Sequence, residues 1–232
     1  MASLTVRGGK PLYGTVRISG SKNAALPVLF ATLITRGVSE LYGIPEIGDV
    51  AATISLLQSF GATVSREGDF VRVDTRRLSY VSPSPSLVCR LRASTYLIGS
   101  CLLRFGRAGI TDFGGCNFAV RPIDMHIAAA RAFGALDCDG GLSLKKPHPA
   151  KIAFDKPSVG ATVNALIMAS AIPGESRLSG CAVEPHILTL VSFLNSAGAV
   201  ITNEGNSFTV RGGRLHRAAV LFPPRAGSGT GK

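Results

Sequence analysis

The sequence predicts an α/β (α+β) fold of three βαβαββ repeats, in which buried helices are surrounded by sheets. Three segments are apolar on nearly every side, a pattern typical of buried helices: AALPVLFATLI, ASTYLIGSCLL and ATVNALIMASAI. Three other helical segments each end at a glycine that fits a left-handed C-terminal cap, at Gly61, Gly134 and Gly198. The residues after each glycine indicate a strand, a turn and a second strand. One structural unit is therefore repeated three times along the chain.

The first repeat is predicted over about residues 1–75. A strand at Thr15–Ser19 precedes a buried helix that starts near Asn23 and ends near Ile34. A short strand at Val38–Tyr42 follows, and a second helix covers Asp49–Phe60. The hairpin strand FVRVD closes the unit.

The second and third repeats are predicted over about residues 85–145 and 150–212. Their buried helices cover Ala93–Leu103 and Ala161–Ile172, and Cys101 in the first of these is expected to be an inert core thiol. We expect the folded domain to span residues 1–217, and residues 218–232 to form a linker-like tail.

The amino-acid composition limits the classes of protein to which this chain can belong. A chain of 232 residues with 46% hydrophobic and 17% charged residues fits one large globular domain or two small ones. No apolar run reaches the roughly 18–20 residues that cross a bilayer. The opening MASLTVRGG lacks the basic and apolar regions of a signal peptide. These features predict a cytoplasmic protein with no membrane partner.

The net charge and the cysteine content limit the classes of ligand that we expect this chain to bind. The net charge of +11 favours anionic partners such as phosphorylated metabolites, nucleic acid or a membrane surface. The basic residues are dispersed and aromatic residues make up only 6%, which argues against nucleic acid. The five cysteines include no CxxC pair, and the four histidines do not cluster with them. We therefore expect neither a metal site nor a disulfide framework.

Cationic residues precede the buried helices. Lys22 and Asn23 lie at a strand–helix junction, where free backbone N–H groups favour an anion. Arg92, in the LRAS motif, lies in the same position before the second buried helix, and the segment DKPSVG repeats the design in the third unit. Each has a structural alternative: Lys22 as a solvated lysine in a turn, and Ser158 as an ordinary helix cap.

Cys116 lies in a loop after a glycine pair, and five residues before Arg121. Nearby cations would lower the pKa of its thiol if they converge on it, although a lone loop cysteine is more often inert. Pro122 and Asp124 fit the first turn of a helix, where Asp124 also suits the helix dipole. His126 in the same helix is interpreted as a packing residue with no catalytic role.

Four motifs together resemble the enolpyruvyl transferase family: ISGSKNAALP, LRAS, GGC followed by RPIDMH, and DKPSVGAT. The resemblance covers nearly the whole chain, to about Thr230, and the motifs are specific in combination. They are similar to the branch of the family that acts on UDP-N-acetylglucosamine and unlike the shikimate-pathway branch. The resemblance implies an N-terminal domain of the enolpyruvyl-transferase type.

The resemblance also implies a reaction. The enolpyruvyl group of phosphoenolpyruvate passes to the 3-hydroxyl of UDP-N-acetylglucosamine and phosphate leaves, with no cofactor. By the same resemblance this is the first committed step of peptidoglycan precursor synthesis in the cytoplasm, and so belongs to cell-wall biogenesis, cell shape and cell division. Cys116 is then the general acid and the target of fosfomycin, while Lys22 and Asn23 contact phosphoenolpyruvate. The residues implied to bind UDP-N-acetylglucosamine are Arg92, Arg121, Pro122, Ile123, Asp124, Met125, His126, Lys156, Ser158, Val159 and Gly160.

The family's site lies between two similar domains, and the aspartate base and further arginines of the second domain have no counterpart here. Smaller departures are Val183 in place of arginine, His186 in place of glutamate and Ala119 in place of glycine. Near the C-terminus, PPRAGSGT resembles a linker in which Pro224 and Gly227 replace acidic residues. Two hypotheses follow. In the first, the chain is an enolpyruvyl transferase by descent, and a partner chain completes its site as the other half of a split enzyme. In the second, the chain is a non-catalytic remnant that binds a sugar nucleotide or has a regulatory role.

Overall fold

The computed structural model describes residues 3–9, 11, 13–15, 18–84, 88, 91–109 and 123–221, with Arg92 and Leu221 described by their backbone only. Cys116, Arg121, Pro122 and Ala119 lie outside the described residues. The predicted roles of these four residues therefore stay predictions.

Three similar units follow one another along the described chain. The first contains α1 (Lys22–Ala31), a 3₁₀ helix (Thr32–Ile34), β1 (Val38–Tyr42), α2 (Gly48–Ser59), β2 (Thr63–Glu67) and β3 (Phe70–Asp74). The second contains a 3₁₀ helix (Arg92–Tyr96), α3 (Leu97–Phe105), β4 (Arg107–Gly109), α4 (Asp124–Ala132), β5 (Leu136–Cys138) and β6 (Gly141–Ser143). The third contains β7 (Lys151–Ala153), α5 (Val159–Ala171), β8 (Gly174–Ser179), α6 (Pro185–Ser196), β9 (Val200–Glu204) and β10 (Ser207–Gly212), and is followed by β11 (Ala218–Leu221).

Each unit builds one sheet. The strand orders are β11-β1-β3-β2, β4-β6-β5 and β7-β8-β10-β9. β7 runs parallel to β8, with Ile152 opposite Leu178, and β11 runs parallel to β1, with Glu40 opposite Ala219. β11 therefore occupies in the first sheet the position that β7 occupies in the third.

The prediction of a strand at Thr15–Ser19 is wrong for the part of that segment that the structure describes. Thr15, Ile18 and Ser19 are not in a strand, and Gly20 makes only an isolated bridge. The parallel partner of β1 comes instead from residues 218–221, the first four residues of the predicted tail. The division of the chain at residue 217 stays a prediction.

The predicted buried helices are confirmed, except that the first part of the predicted helix Ala93–Leu103 is a 3₁₀ helix, which ends at Tyr96. In α1 every residue from Ala24 to Ala31 is buried, and in α5 every residue from Ala161 to Ser170. Two of the outer helices connect neighbouring units: α4 packs against α5 and β7, and α6 packs against α1 and β11. Because α6 of the third unit contacts α1 of the first, the three units close into a ring around the buried helices. None of the helices within the described ranges is long and apolar enough to cross a bilayer.

The predicted glycine caps are also confirmed. Gly61, Gly134 and Gly198 have φ values of +92°, +97° and +115°, a region that glycine enters without a Cβ penalty. The next residue in each case donates its N–H to a carbonyl five residues back, at 3.1 Å: Ala62 to Leu57, Ala135 to Ala130 and Ala199 to Leu194. This is the Schellman pattern, and it turns each outer helix into the strand that begins two residues after the glycine.

Candidate functional site

The first residues of the three buried helices lie at one end of the helix bundle. Ser100 Oγ donates to the Phe30 carbonyl at 3.0 Å, and these two residues lie equally far along their helices from Arg92 and Lys22. At the other ends of these helices, Arg104 Nη2 in the last turn of α3 donates to the Thr75 carbonyl at 2.7 Å, and Thr75 Oγ1 lies 3.5 Å from Thr35 Oγ1. α1 and α3 therefore run in the same direction.

α5 starts at the same end. Asn164, in its second turn, bonds to the backbone of Thr95 and Gly99, which lie on either side of the residue at which α3 begins. Free N–H groups at the starts of parallel helices give this end a positive potential that favours an anion.

Lys22 is the first residue of α1, and its Nζ lies 2.9 Å from Asp49 Oδ2 in the first turn of α2. The two side chains are 51% and 39% exposed, so an anionic ligand can compete with this ion pair at little cost. Asn23 beside it is exposed. Pro27 lacks the N–H that would bond to the Asn23 carbonyl in a regular helix, so this carbonyl is without its usual donor.

The Asp124–His126 segment lies directly beside the start of α5. Ile123 is the N-cap of α4, Asp124 is its exposed first residue, and His126 is 8% exposed. A Cβ placed on Gly160 would lie 2.5 Å from His126 Cε1 and 2.7 Å from Nε2. The imidazole ring therefore packs on the Gly160 backbone, and the structure brings together two of the predicted binding segments.

In the third unit, Ser158 is the N-cap of α5, and its Oγ accepts from the Ala161 N–H at 3.4 Å. The structural alternative for Ser158 is thus confirmed, and its contact with a substrate stays a prediction. Lys156 is exposed and forms no ion pair within the described part of the chain. Val159 is half-buried in the first turn of the helix.

Sequence reasoning missed Asn164. It is fully buried, and its carboxamide bonds to Thr95, Gly99 and His126. A signal was available, because Asn164 is the most polar residue in the segment ATVNALIMASAI, and buried polar side chains are almost always hydrogen-bonded.

The loop before α6 departs from a cationic binding surface. Val183 is 41% exposed, and His186 follows it in the first turn of α6. Burial lowers the pKa of His186, while the nearby Glu184 carboxylate opposes that change. His186 is therefore largely neutral near pH 7 and, like Val183, adds no positive charge to this loop.

Two of the described cysteines are inert. Burial raises the pKa of Cys101 to about 12 and that of Cys181 to about 11, so neither forms a thiolate near neutral pH. The prediction for Cys101 is confirmed. Cys138 is exposed on β5. Across the residues that the structure covers, no group of three or more His, Cys, Asp or Glu side chains forms a metal site.

A family model described as EPSP synthase (3-phosphoshikimate 1-carboxyvinyltransferase) matches residues 6–225. Among curated proteins, the chain is 40% identical over 209 residues to UDP-N-acetylglucosamine 1-carboxyvinyltransferase 3 of Caldanaerobacter subterraneus subsp. tengcongensis, covering 88% of this chain and 50% of the relative. It is 39% identical over 215 residues to the UDP-N-acetylglucosamine 1-carboxyvinyltransferase of Geobacter metallireducens, covering 91% and 51%. The chain thus spans about half the length of the curated relatives it matches.

Solved structures show the same fold. The enolpyruvyl transferase NikO from Streptomyces tendae matches with a TM-score of 0.80 at 23% identity, over 94% of this chain and 53% of that one. EPSP synthase from Acinetobacter baumannii matches with a TM-score of 0.73 at 17% identity, over 91% and 50%.

Proposed function

Because the chain belongs to the EPSP synthase (3-phosphoshikimate 1-carboxyvinyltransferase) family, we propose that it forms one wall of an active site for enolpyruvyl transfer to UDP-N-acetylglucosamine. The observation that supports this proposal is that the buried helices start at the same end of the bundle. Lys22, Asn23 and the start of the Arg92 helix lie at this end. The two segments that contact each other at His126 and Gly160 lie there too. The curated relatives at about 40% identity favour the sugar-nucleotide substrate over shikimate 3-phosphate.

The proposed reaction is an addition followed by an elimination. The 3-hydroxyl oxygen of the sugar bonds to C2 of phosphoenolpyruvate and gives its proton to a base, while Cys116 donates a proton to C3. The C2–O bond to phosphate then breaks, C3 returns a proton, and the enolpyruvyl ether and inorganic phosphate are formed. A thiol suits the acid role because its pKa can be tuned toward neutrality.

The described residues would bind and orient the anions. Lys22 and the N–H groups at the helix starts would stabilise the phosphate of phosphoenolpyruvate. Lys156 and the start of α5 would hold the diphosphate of the sugar nucleotide, together with Arg92 and Arg121 as bidentate donors. We place this reaction in the cytoplasm, as a step of peptidoglycan precursor synthesis.

The chain spans about half the length of its relatives, so the base would come from a region of the family that these residues do not match. A second candidate function is sugar-nucleotide binding without catalysis, for which the described helix starts and the exposed Lys156 would suffice. A reaction that misplaces its reactants by about 1 Å loses roughly 100-fold in rate, so one wall alone is expected to bind better than it catalyses.

The test measures phosphate release by the purified chain with phosphoenolpyruvate and UDP-N-acetylglucosamine, alongside calorimetric titration with UDP-N-acetylglucosamine. Release that Cys116→Ala abolishes, and that the exposed Cys138→Ala control retains, would support catalysis. Binding without release would support the second candidate. A folded chain that neither binds nor releases phosphate would contradict both.

A further inference from the structure

Asn164 lies where the starts of three helices meet. It is fully buried in the second turn of α5, a helix whose other buried residues are mostly aliphatic. An isolated buried amide is costly, so a fully bonded one marks a position at which its partners are held in a defined arrangement.

The backbone of the second unit fixes the orientation of this carboxamide. Asn164 Oδ1 accepts from the Gly99 N–H at 2.8 Å, and Nδ2 donates to the Thr95 carbonyl at 3.1 Å. If the amide were flipped, its NH₂ group would face the Gly99 N–H and its oxygen would face the Thr95 carbonyl oxygen. Only one orientation is therefore stable.

The two backbone groups lie four residues apart, which is the spacing of an α-helical hydrogen bond. They flank the junction at which the 3₁₀ helix ends at Tyr96 and α3 begins at Leu97. The Asn164 carboxamide thus bridges the two helical segments at this junction. A Cβ on Gly99 would lie 2.9 Å from Asn164 Oδ1, so glycine is needed for the approach.

The fixed amide in turn fixes the tautomer of His126. The second hydrogen of Asn164 Nδ2 points to His126 Nδ1 at 2.8 Å, and the Gly160 carbonyl oxygen lies farther from Nδ2, at 3.4 Å. Because an amide nitrogen only donates, Nδ1 must accept, and the ring is neutral with its proton on Nε2. The edge that carries Nε2 lies against Gly160.

We propose that Asn164 is a positioning residue, whose one carboxamide aligns the starts of the Arg92 helix, α4 and α5 and holds His126 in its Nε2–H form. This inference rests on the proposed function, because these three starts carry the segments assigned to UDP-N-acetylglucosamine. Asn164 itself is fully buried beneath them, so it acts on a ligand through these segments and not by direct contact.

The experiment has two arms. In the first, NMR of the full chain labelled with ¹⁵N-histidine reads which nitrogen of His126 carries the proton at neutral pH. In the second, calorimetry measures UDP-N-acetylglucosamine binding. We expect the Nε2–H form in the wild type. In Asn164→Asp we expect a proton on Nδ1, because a carboxylate only accepts, and a loss in affinity of about tenfold or more, since small misplacements in a site are costly.

The matched control is Asn195→Ala. The Asn195 carboxamide also bridges a backbone N–H and a carbonyl, both of Ile201, but at the far end of α6. This control should lose stability without changing the His126 spectrum or the affinity. Should Asn164→Asp not fold, Gly99→Ala offers a second route, because its Cβ pushes on Oδ1 while Asn164 remains.

A wild-type His126 protonated on Nδ1 would overturn the inference, as would Asn164→Asp and Gly99→Ala chains with an unchanged spectrum and affinity. A wild type that shows the Nε2–H form and the expected response to Asn164→Asp, but binds no UDP-N-acetylglucosamine, would support the positioning of His126 and contradict the proposed function. The two failures are thus distinguishable.

Discussion

At the C-terminal ends of the buried helices, side chains bond to one another and to nearby backbone, whereas the N-terminal ends leave cationic side chains exposed. Beyond α1, Thr35 Oγ1 donates to the Thr32 carbonyl at 2.9 Å and lies 3.3 Å from Ser39 Oγ, while Thr75 Oγ1 donates to the Gly37 carbonyl at 3.1 Å. At the other end, one amide on Asn164 joins the second unit to the third.

This difference separates stability from binding. The C-terminal end is closed by hydroxyls, the Arg104 guanidinium and close backbone contacts, so changes there should cost folding free energy and leave the ligand untouched. The N-terminal end leaves Lys22, Asn23 and Lys156 exposed, so changes there should act first on ligand affinity. The following substitutions test that division.

We expect the largest effect from Gly212→Ala, at the C-terminal ends of the buried helices, which we call the closed end. Its Cβ would collide with the backbone carbonyl oxygens of Ala169 and Ile172 at the end of α5, and backbone cannot move aside as a side chain can. Overpacking of this kind costs about 3 kcal/mol in the free energy of unfolding, which urea titration would measure.

The control for Gly212→Ala is the next residue. Among the residues that the structure describes, no heavy atom lies within 4 Å of the position that a Cβ on Gly213 would take. Gly213→Ala should therefore change stability by less than about 0.5 kcal/mol. Equal effects from the two substitutions would contradict the close packing at this end.

Gly160→Ala should have the next largest effect, at the N-terminal ends of the buried helices, which we call the open end. Its Cβ would displace the His126 ring, at a cost of about 1–3 kcal/mol in the free energy of unfolding together with weaker binding of UDP-N-acetylglucosamine. If the ring is the obstacle, adding His126→Ala to Gly160→Ala should recover part of the stability but not the affinity. A double variant that is destabilised by the sum of the two single effects would argue against this contact.

The repeats, the buried helices and their caps could be predicted because they depend on local patterns. Gly61, Gly134 and Gly198 end their helices as the sequence indicates. β11 could not be predicted, because its pairing joins distant parts of the chain: beside it, Arg217 Nη2 donates to Glu40 Oε2 across 177 residues. The apolar pattern gives no sign of which strand completes the first sheet.

The candidate site divides in the same way. Lys22, Arg92 and Ser158 could be placed at helix starts from sequence alone. That His126 lies on Gly160 depends on how α4 packs against α5, which no local pattern encodes. The sequence shows a polar residue at Asn164, but its partners in the second unit, Thr95, Gly99 and His126, follow only from the packing of that unit on the third.

Thr35→Val should have a smaller effect, confined to the closed end. Valine keeps the shape of threonine but removes the hydroxyl that bonds to Thr32, at an expected cost of about 1–2 kcal/mol in the free energy of unfolding. Affinity for UDP-N-acetylglucosamine should not change. Thr189→Val is the control, because its hydroxyl bonds to the Pro185 carbonyl on an exposed face. A loss of affinity in Thr35→Val would show that the two ends are coupled.

The smallest effect should come from His186, at the start of α6. Burial lowers the pKa of this side chain in the folded state below its ordinary value of 6.5. As the pH falls below about 6.5 the unfolded chain takes up the proton first, so stability that is fully present above that pH is lost as the pH approaches the folded pKa. His186→Gln removes this contribution. As the pH is lowered from 7.5 to 5, the urea midpoint of the wild type should therefore fall relative to that of His186→Gln. A difference that is constant over this range would mean that the His186 ring is as well solvated in the folded chain as in the unfolded one.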